Sequence, residues 1–168
     1  MVPLAERPEM PDYGVDTDAW EPLPWSWAAA RLTSARNFWV VTVSGDGRPH
    51  AMPVWGVWDD KASRFTFSCG PRARKARNLA ENPRVVIASE DTVECLSIEG
   101  RAEPLTDEAR RERWIDLYLG TYRPISPELA PEFLHDNLAY EVVPVRAFGI
   151  IEREDAFAER ATRWVFET

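Results

Sequence analysis

The chain has 168 residues, enough for one domain to bury a core without disulfides or metals. Its 28 acidic residues against 20 basic ones give a formal net charge of −8, which argues against a general nucleic-acid or anionic-membrane surface. Two isolated cysteines, no charged-then-apolar leader and no apolar run near the roughly 18 residues of a membrane span set the expectation of a soluble chain in a reducing cytoplasm.

Residues 1–24 are rich in proline and acid (Pro3, Pro8, Pro11, Asp12, Asp18, Pro22, Pro24) and read as an irregular lead-in with no core of its own. A single domain is expected over 25–168. Trp25 to Arg36 carries Trp27, Ala28 and Leu32 in helical register. At Phe38 the period changes: Phe38 to Val43 is β-branched and aromatic, Gly45-Asp46-Gly47 supplies a turn, and Pro49 to Trp58 resumes as a second strand. Both faces of the first strand are apolar, with Phe38, Val40 and Thr42 on one and Trp39, Val41 and Val43 on the other. A sheet with one wet face would alternate, so the outer face requires a cover, either helices or another subunit. Arg64 to Ser68 predicts a third strand, Arg84 to Ser89 a fourth and Cys95 to Leu105 a fifth. Thr106 with Asp107 and Glu108 behind it caps a helix to about Leu119, ended by Gly120. A short helix is expected around Glu128 to His135, then strands over Tyr140 to Ile151 and Trp164 to Phe166. Strands in hairpin order with few helices predict an α+β, mainly β domain on a small antiparallel barrel or sandwich.

Between the third and fourth strands lies Pro71-Arg-Ala-Arg-Lys-Ala-Arg-Asn-Leu-Ala-Glu-Asn-Pro83. Ala73, Ala76, Leu79 and Ala80 give a narrow apolar stripe at helical spacing. A helix prefers acids in its first turn, yet Arg72, Arg74, Lys75 and Arg77 crowd this one. Free N–H groups and side-chain cations converging there would suit a bound anion, against the plain alternative of a solvated basic face. His50 and His135 stand outside any metal-ligand spacing, and no GxSxG, Walker or GxGxxG motif occurs.

The segment Gly45-Asp-Gly-Arg-Pro-His-Ala-Met-Pro-Val-Trp55, with Phe65-Thr-Phe-Ser68, Arg74-Lys-Ala-Arg-Asn-Leu-Ala-Glu-Asn-Pro83 and Ile98-Glu-Gly-Arg-Ala102, resembles the pyridoxamine 5′-phosphate oxidase-like split-barrel family, closest to the actinobacterial flavin and deazaflavin oxidoreductases. The resemblance implies a six-stranded antiparallel split β-barrel, homodimeric, with flavin-type cofactors in clefts at the subunit interface. It assigns Arg72, Arg74, Lys75, Arg77 and Asn78 to the cofactor's anionic tail. Pro53, Val54 and Trp55, with His50 on the same strand and Ser68 on the next, would border the ring-binding cleft. Arg163 and Trp164 would close the partner's cleft, and Trp58 would join Trp55 in lining the substrate side. No catalytic acid or base is assigned. True pyridoxamine-phosphate oxidases carry basic residues on the second strand, where this chain has Met52-Pro-Val-Trp-Gly-Val-Trp58. The expectation is therefore an oxidoreductase using the deazaflavin F-420 or flavin mononucleotide (FMN), moving a hydride to or from a small planar or apolar compound. The alternatives are a non-catalytic split barrel holding a cofactor, haem or tetrapyrrole, and a dimerisation module with an empty cleft.

Overall fold

In the computed structural model, residues 2–15, 18–154 and 156–167 are described. The elements in chain order are β1 (Leu4–Glu6), α1 (Trp25–Ser34), β2 (Phe38–Val43), β3 (Pro49–Val54), β4 (Gly56–Asp59), β5 (Arg64–Cys69), α2 (Arg74–Glu81), β6 (Arg84–Ser89), β7 (Glu94–Pro104), α3 (Glu108–Tyr122), α4 (Pro131–His135), β8 (Leu138–Ile151), α5 (Phe157–Arg160) and β9 (Thr162–Val165). All strand pairings are antiparallel.

Hydrogen-bonded neighbours run β4-β5-β8-β7-β6-β2-β3, and β3 leads straight into β4 through Trp55. The expected second strand, Pro49 to Trp58, is thus one path broken at a single residue, half on each side of the barrel. Counting β3 and β4 together, the barrel has the expected six strands, and its seam is the covalent step at Trp55. β8 makes the architecture possible by changing partners along its length: residues 138–142 pair with β5, and residues 146–149 with β9. The change falls at a bulge opposite Glu99 and Gly100. Gly100 is needed there because a Cβ would collide with the Val143 carbonyl.

Inward side chains fill the barrel. Phe38, Val40, Phe65, Phe67, Ile87, Leu96, Ile98 and Val142 are all buried in one cluster. A second cluster forms where α3 lays Trp114, Ile115, Tyr118 and Tyr122 over Val57, Leu105 and Ala139. The expected helix end at Gly120 is a correction, because α3 continues to Tyr122, whose ring is fully buried. Gly120 lies in open space, so only propensity opposed the extension, and Tyr122's burial outweighs it. Asp107 caps this helix, its carboxylate accepting from Arg110 N–H at 2.8 Å.

The N-terminal lead-in is not wholly irregular over its described residues. β1 pairs with β9, Val15 packs on Ile150 and Ala161, and Leu23 N–H donates to Thr162 Oγ1 at 2.8 Å. On the outer face of β2, Trp39 stands 46% exposed with Pro53 and Ala88 beside it in register, and Val41 lies between Ala51 and Val86. Next to this strip, Val43, Val86 and Val145 line a hollow of about 510 Å³ with Arg84, Arg101 and Arg146 at its margin.

Candidate functional site: a cleft at the broken strand

Pro49 and Pro53 remove two ladder donors from β3, which accordingly sits at the end of the sheet, paired only with β2. The break at Trp55 is fixed from across the molecule. The Tyr122 hydroxyl accepts from Gly56 N–H at 2.9 Å, and its proton serves Arg36 O at 2.7 Å or Gly56 O at 2.8 Å. The Trp55 ring stacks on Tyr122 with centroids 4.5 Å apart and planes 4° from parallel. Tyr118 follows at 4.5 Å from Tyr122. The three rings make a continuous aromatic wall.

Trp55 and Tyr118 border a cleft of about 420 Å³, with Tyr122 buried behind them. Pro53, Val54 and Trp55 line one side, Ser68, Cys69 and Gly70 the next, and Ala73 and Lys75 the end at α2. Tyr118 of α3, Leu129 just before α4 and Phe133 within α4 complete it.

α2 begins after Ala73, and no side chain caps it. The first N–H groups of a helix have no intrahelical partner, so those of Arg74, Lys75 and Ala76 are available to a ligand. Asn78 anchors the helix: it is buried and its amide donates to Thr42 Oγ1 on β2 at 2.9 Å. That bond commits one of its donors to the fold while Arg74 and Arg77 stay on the outer side.

Lys75 faces the cleft, while Arg74, Arg77 and Asn78 line a neighbouring hollow of about 220 Å³ with Ser44, Asp46, Arg48 and His50 of the β2–β3 hairpin. Among the described residues, no carboxylate pairs with Arg72, Arg74, Lys75 or Arg77. Elsewhere Arg31, Arg48, Arg64, Arg110, Arg113, Arg146, Arg160 and Arg163 each meet an acid, while among the described residues Arg36, Lys61, Arg84, Arg101, Arg111 and Arg123 do not, so what sets α2 apart is four such cations within six residues. In a protein with excess acid, four neighbouring unneutralised cations could receive a ligand's negative charge.

The expected site residues therefore separate into three groups. Pro53, Val54, Trp55, Ser68 and Lys75 converge on the cleft, and His50, Arg74, Arg77 and Asn78 on the adjoining hollow. Arg72 is exposed and lines neither. Arg163 and Trp164 lie elsewhere. Arg163 is paired with Glu6 at 2.8 Å, and Trp164 is fully buried against Trp25 and Trp27, so within this chain they serve the junction of β1, β9 and α1. Trp58 likewise turns into the core beside Trp25, which leaves Trp55 as the cleft's tryptophan.

Electrostatics at the cleft follow from burial. Desolvation pushes the Cys69 thiol up, with Lys75 pulling it partly back. The Tyr118 hydroxyl is pushed up to about 12 and that of Tyr122 further still, both by burial. The residues missed from sequence are Tyr118, Tyr122, Leu129 and Phe133. The only signal for the two tyrosines was an aromatic at every fourth position, Trp114, Tyr118 and Tyr122, which reads equally well as ordinary core. Among the described residues no cluster of histidine, cysteine and acid could hold a metal ion, and no helix is long and apolar enough to cross a membrane.

No curated protein matches the chain. Solved structures do: the conserved hypothetical protein Rv2991 of Mycobacterium tuberculosis is 21% identical with a TM-score of 0.65, over 78% of this chain and 86% of that one. An F-420 reductase is 24% identical with a TM-score of 0.54, over 70% and 93%. The haem storage protein HutZ of Vibrio cholerae is 20% identical with a TM-score of 0.55, over 71% and 86%. At these identities the likeness is one of fold. The family model described as pyridoxamine 5′-phosphate oxidase matches residues 27–146, a stretch holding the barrel strands β2 to β7, the start of β8, the broken strand and the basic helix. The chain belongs to the pyridoxamine 5′-phosphate oxidase-like split-barrel family.

Proposed function

We propose that this protein is an oxidoreductase using a flavin-type cofactor, with the deazaflavin F-420 ahead of FMN, and that its substrate is a small planar or apolar compound. The observation that carries this reading is the set of unpaired cations at the uncapped start of α2, beside a cleft walled by Trp55. The residues present fit such a group. A conjugated ring system suits the wall of Trp55 and Tyr118, and an anion at the end of the cleft meets Lys75 and the free N–H groups of α2. Arg74 and Arg77 continue the positive surface into the next hollow, and Arg72 adds to it from outside. That spread favours a tail with several negative groups over one compact phosphate. When bound, the cofactor supplies hydride transfer, while the protein supplies placement and charge.

The dimer belongs to the same proposal. Trp39, Ala51, Pro53, Val41 and Val86 form an apolar strip on the outer sheet face, and it reaches the cleft through Pro53. A second copy of the chain seated there would bury Trp39 and wall the cleft. The haem alternative has a precedent in the names of two structural neighbours, but neither histidine lines the cleft: His50 lies in the adjoining hollow, and His135 sits 3.5 Å from Glu112 on the surface. Titrating F-420, FMN and haem into the purified protein, and into Lys75→Ala and Arg77→Ala, tests the assignment. Saturable flavin-type binding that both substitutions weaken supports it; haem binding alone overturns it.

A further inference from the structure

The change of partner along β8 leaves a gap in the fold. Residues 138–142 pair with β5 and residues 146–149 with β9, and Phe166 N–H closes the near end on Val145 O at 3.0 Å. Between these pairings, Val143 and Pro144 have no strand beside them on that flank among the described residues. Pro144 brings no N–H that would require a partner there. What remains where β5 and β9 diverge is a cavity of about 460 Å³, floored by Val143, Pro144 and Phe166 with Pro3 at its side. It lies across β8 from the hollow at Val145 and shares no lining residue with the cleft beside α2.

The polar groups of this cavity come from the turn between β4 and β5. The Asp59 carboxylate sets that turn by accepting from Lys61 N–H at 3.0 Å and Ala62 N–H at 3.3 Å. Ser63 follows at a φ of 52°, the one non-glycine residue with positive φ among the described residues. Glycine would adopt that conformation without steric cost. Serine adds a hydroxyl instead, and among the described residues that hydroxyl has no partner. The Lys61 ammonium likewise meets no acid among them. Arg64 is partly committed, with Glu141 3.9 Å away and Nη1 donating to the Ala62 and Ser63 carbonyls at 3.3 and 3.0 Å. Against these two cations the lining holds one acid, the exposed Glu167. The cavity thus joins an apolar floor to an end with net positive charge and an unused hydroxyl.

We propose that this cavity is a second binding site, for a small carboxylate with an apolar body. Lys61 and the Ser63 hydroxyl hold the carboxylate, and the body lies on Phe166 and Pro144. A single negative charge matches two cations set against one acid, and the floor favours an anion that carries an apolar part.

The test uses benzoate, which has both parts, benzyl alcohol, which has the ring without the charge, and acetate, which has the charge without the ring. Each is titrated into the wild-type protein, Lys61→Ala and Ser63→Gly while backbone amide NMR shifts are followed, and thermal unfolding checks the fold of both variants. Benzoate should saturate and move the amides of Lys61 to Arg64, Val143 and Phe166, with benzyl alcohol and acetate each binding more weakly. Lys61→Ala should weaken benzoate about two- to fivefold, the range of a solvent-exposed ion pair, and leave benzyl alcohol unchanged. Ser63→Gly should weaken benzoate about three- to tenfold, the scale of one hydrogen bond, with no loss of Tm because glycine accepts the positive φ. Benzyl alcohol binding as tightly as benzoate, or benzoate affinity unchanged in both variants, would make the cavity a packing gap between diverging strands and overturn the proposal. Shifts confined to the cleft beside α2, or no saturable benzoate binding to the wild type, overturn it as well. None of these outcomes bears on the F-420 and FMN titrations, which concern other residues.

Discussion

Replacing Tyr122 with phenylalanine removes one oxygen atom and tests how the broken strand is held. The ring's stacking on Trp55 survives, but Gly56 N–H loses its acceptor at 2.9 Å, and a carbonyl of Arg36 or Gly56 loses its donor. Gly56 is buried and has no room for a repair: Phe65 and the Thr66 carbonyl already crowd its Cα. A buried backbone group left unsatisfied costs about 1–3 kcal/mol, so the variant should lose about 2 kcal/mol of stability. For a domain of this size, each kcal/mol lowers Tm by about 2–4 °C, giving a drop of about 4–8 °C. Urea titrations at one protein concentration should show the midpoint moving with the slope unchanged, the sign of lost stability rather than an altered denatured state. A midpoint within error of the wild type would mean that the hydroxyl does not hold the break, and the local account of the cleft would be wrong.

Lys75→Ala and Arg77→Ala should each weaken cofactor binding by about 1.5–3 kcal/mol, the scale of a hydrogen bond to a charged group, with no loss of Tm; fluorescence titration measures the first and thermal unfolding the second. Arg72→Ala and Arg74→Ala should narrow the preference for F-420 over FMN and flatten its salt dependence, because these exposed cations act through solvent screened over about 8 Å at physiological ionic strength. Trp39→Glu should turn a dimer into a 19.2 kDa monomer by light scattering, since it places a charge at the centre of the apolar strip. In alkali, the raised ionisations of Tyr118 and Tyr122 have a definite sign: an unfolded phenol releases its proton near pH 10, the buried ones later, so this stabilisation is complete below about pH 10 and is lost above it, up to about 12 for Tyr118. Urea midpoints at pH 8, 10 and 11 should fall across that range, and a Tyr118→Phe/Tyr122→Phe protein should fall less.

Strands β2, β5 and β6 and the helix α2 were legible because local patterns and tertiary need agree there: alternating burial over Phe38–Val43, and an alanine and leucine stripe anchored by Asn78. The split of the second strand was not. Pro49 and Pro53 mark the strand as interrupted, but nothing local places the break at Trp55, since its fastening is a hydroxyl 66 residues away. The same tyrosine carries α3 past Gly120, where propensity alone would end it. Trp55, Trp58 and Trp164 are indistinguishable by composition, yet one lines the cleft and two fill the core, because strand register decides which face each ring takes. The basic cluster was visible in sequence as a violation of helix preference. Its lack of acidic partners could be seen only once every other ion pair was in place.

The central claim is that the cleft beside α2 binds a flavin-type cofactor by its anionic tail, and parallel titration of the wild-type protein with F-420, FMN and haem at low salt tests it most directly. Saturation is expected at one flavin-type cofactor per chain, with F-420 tighter than FMN and no saturable haem complex. Stoichiometric haem binding with no uptake of either F-420 or FMN would contradict it.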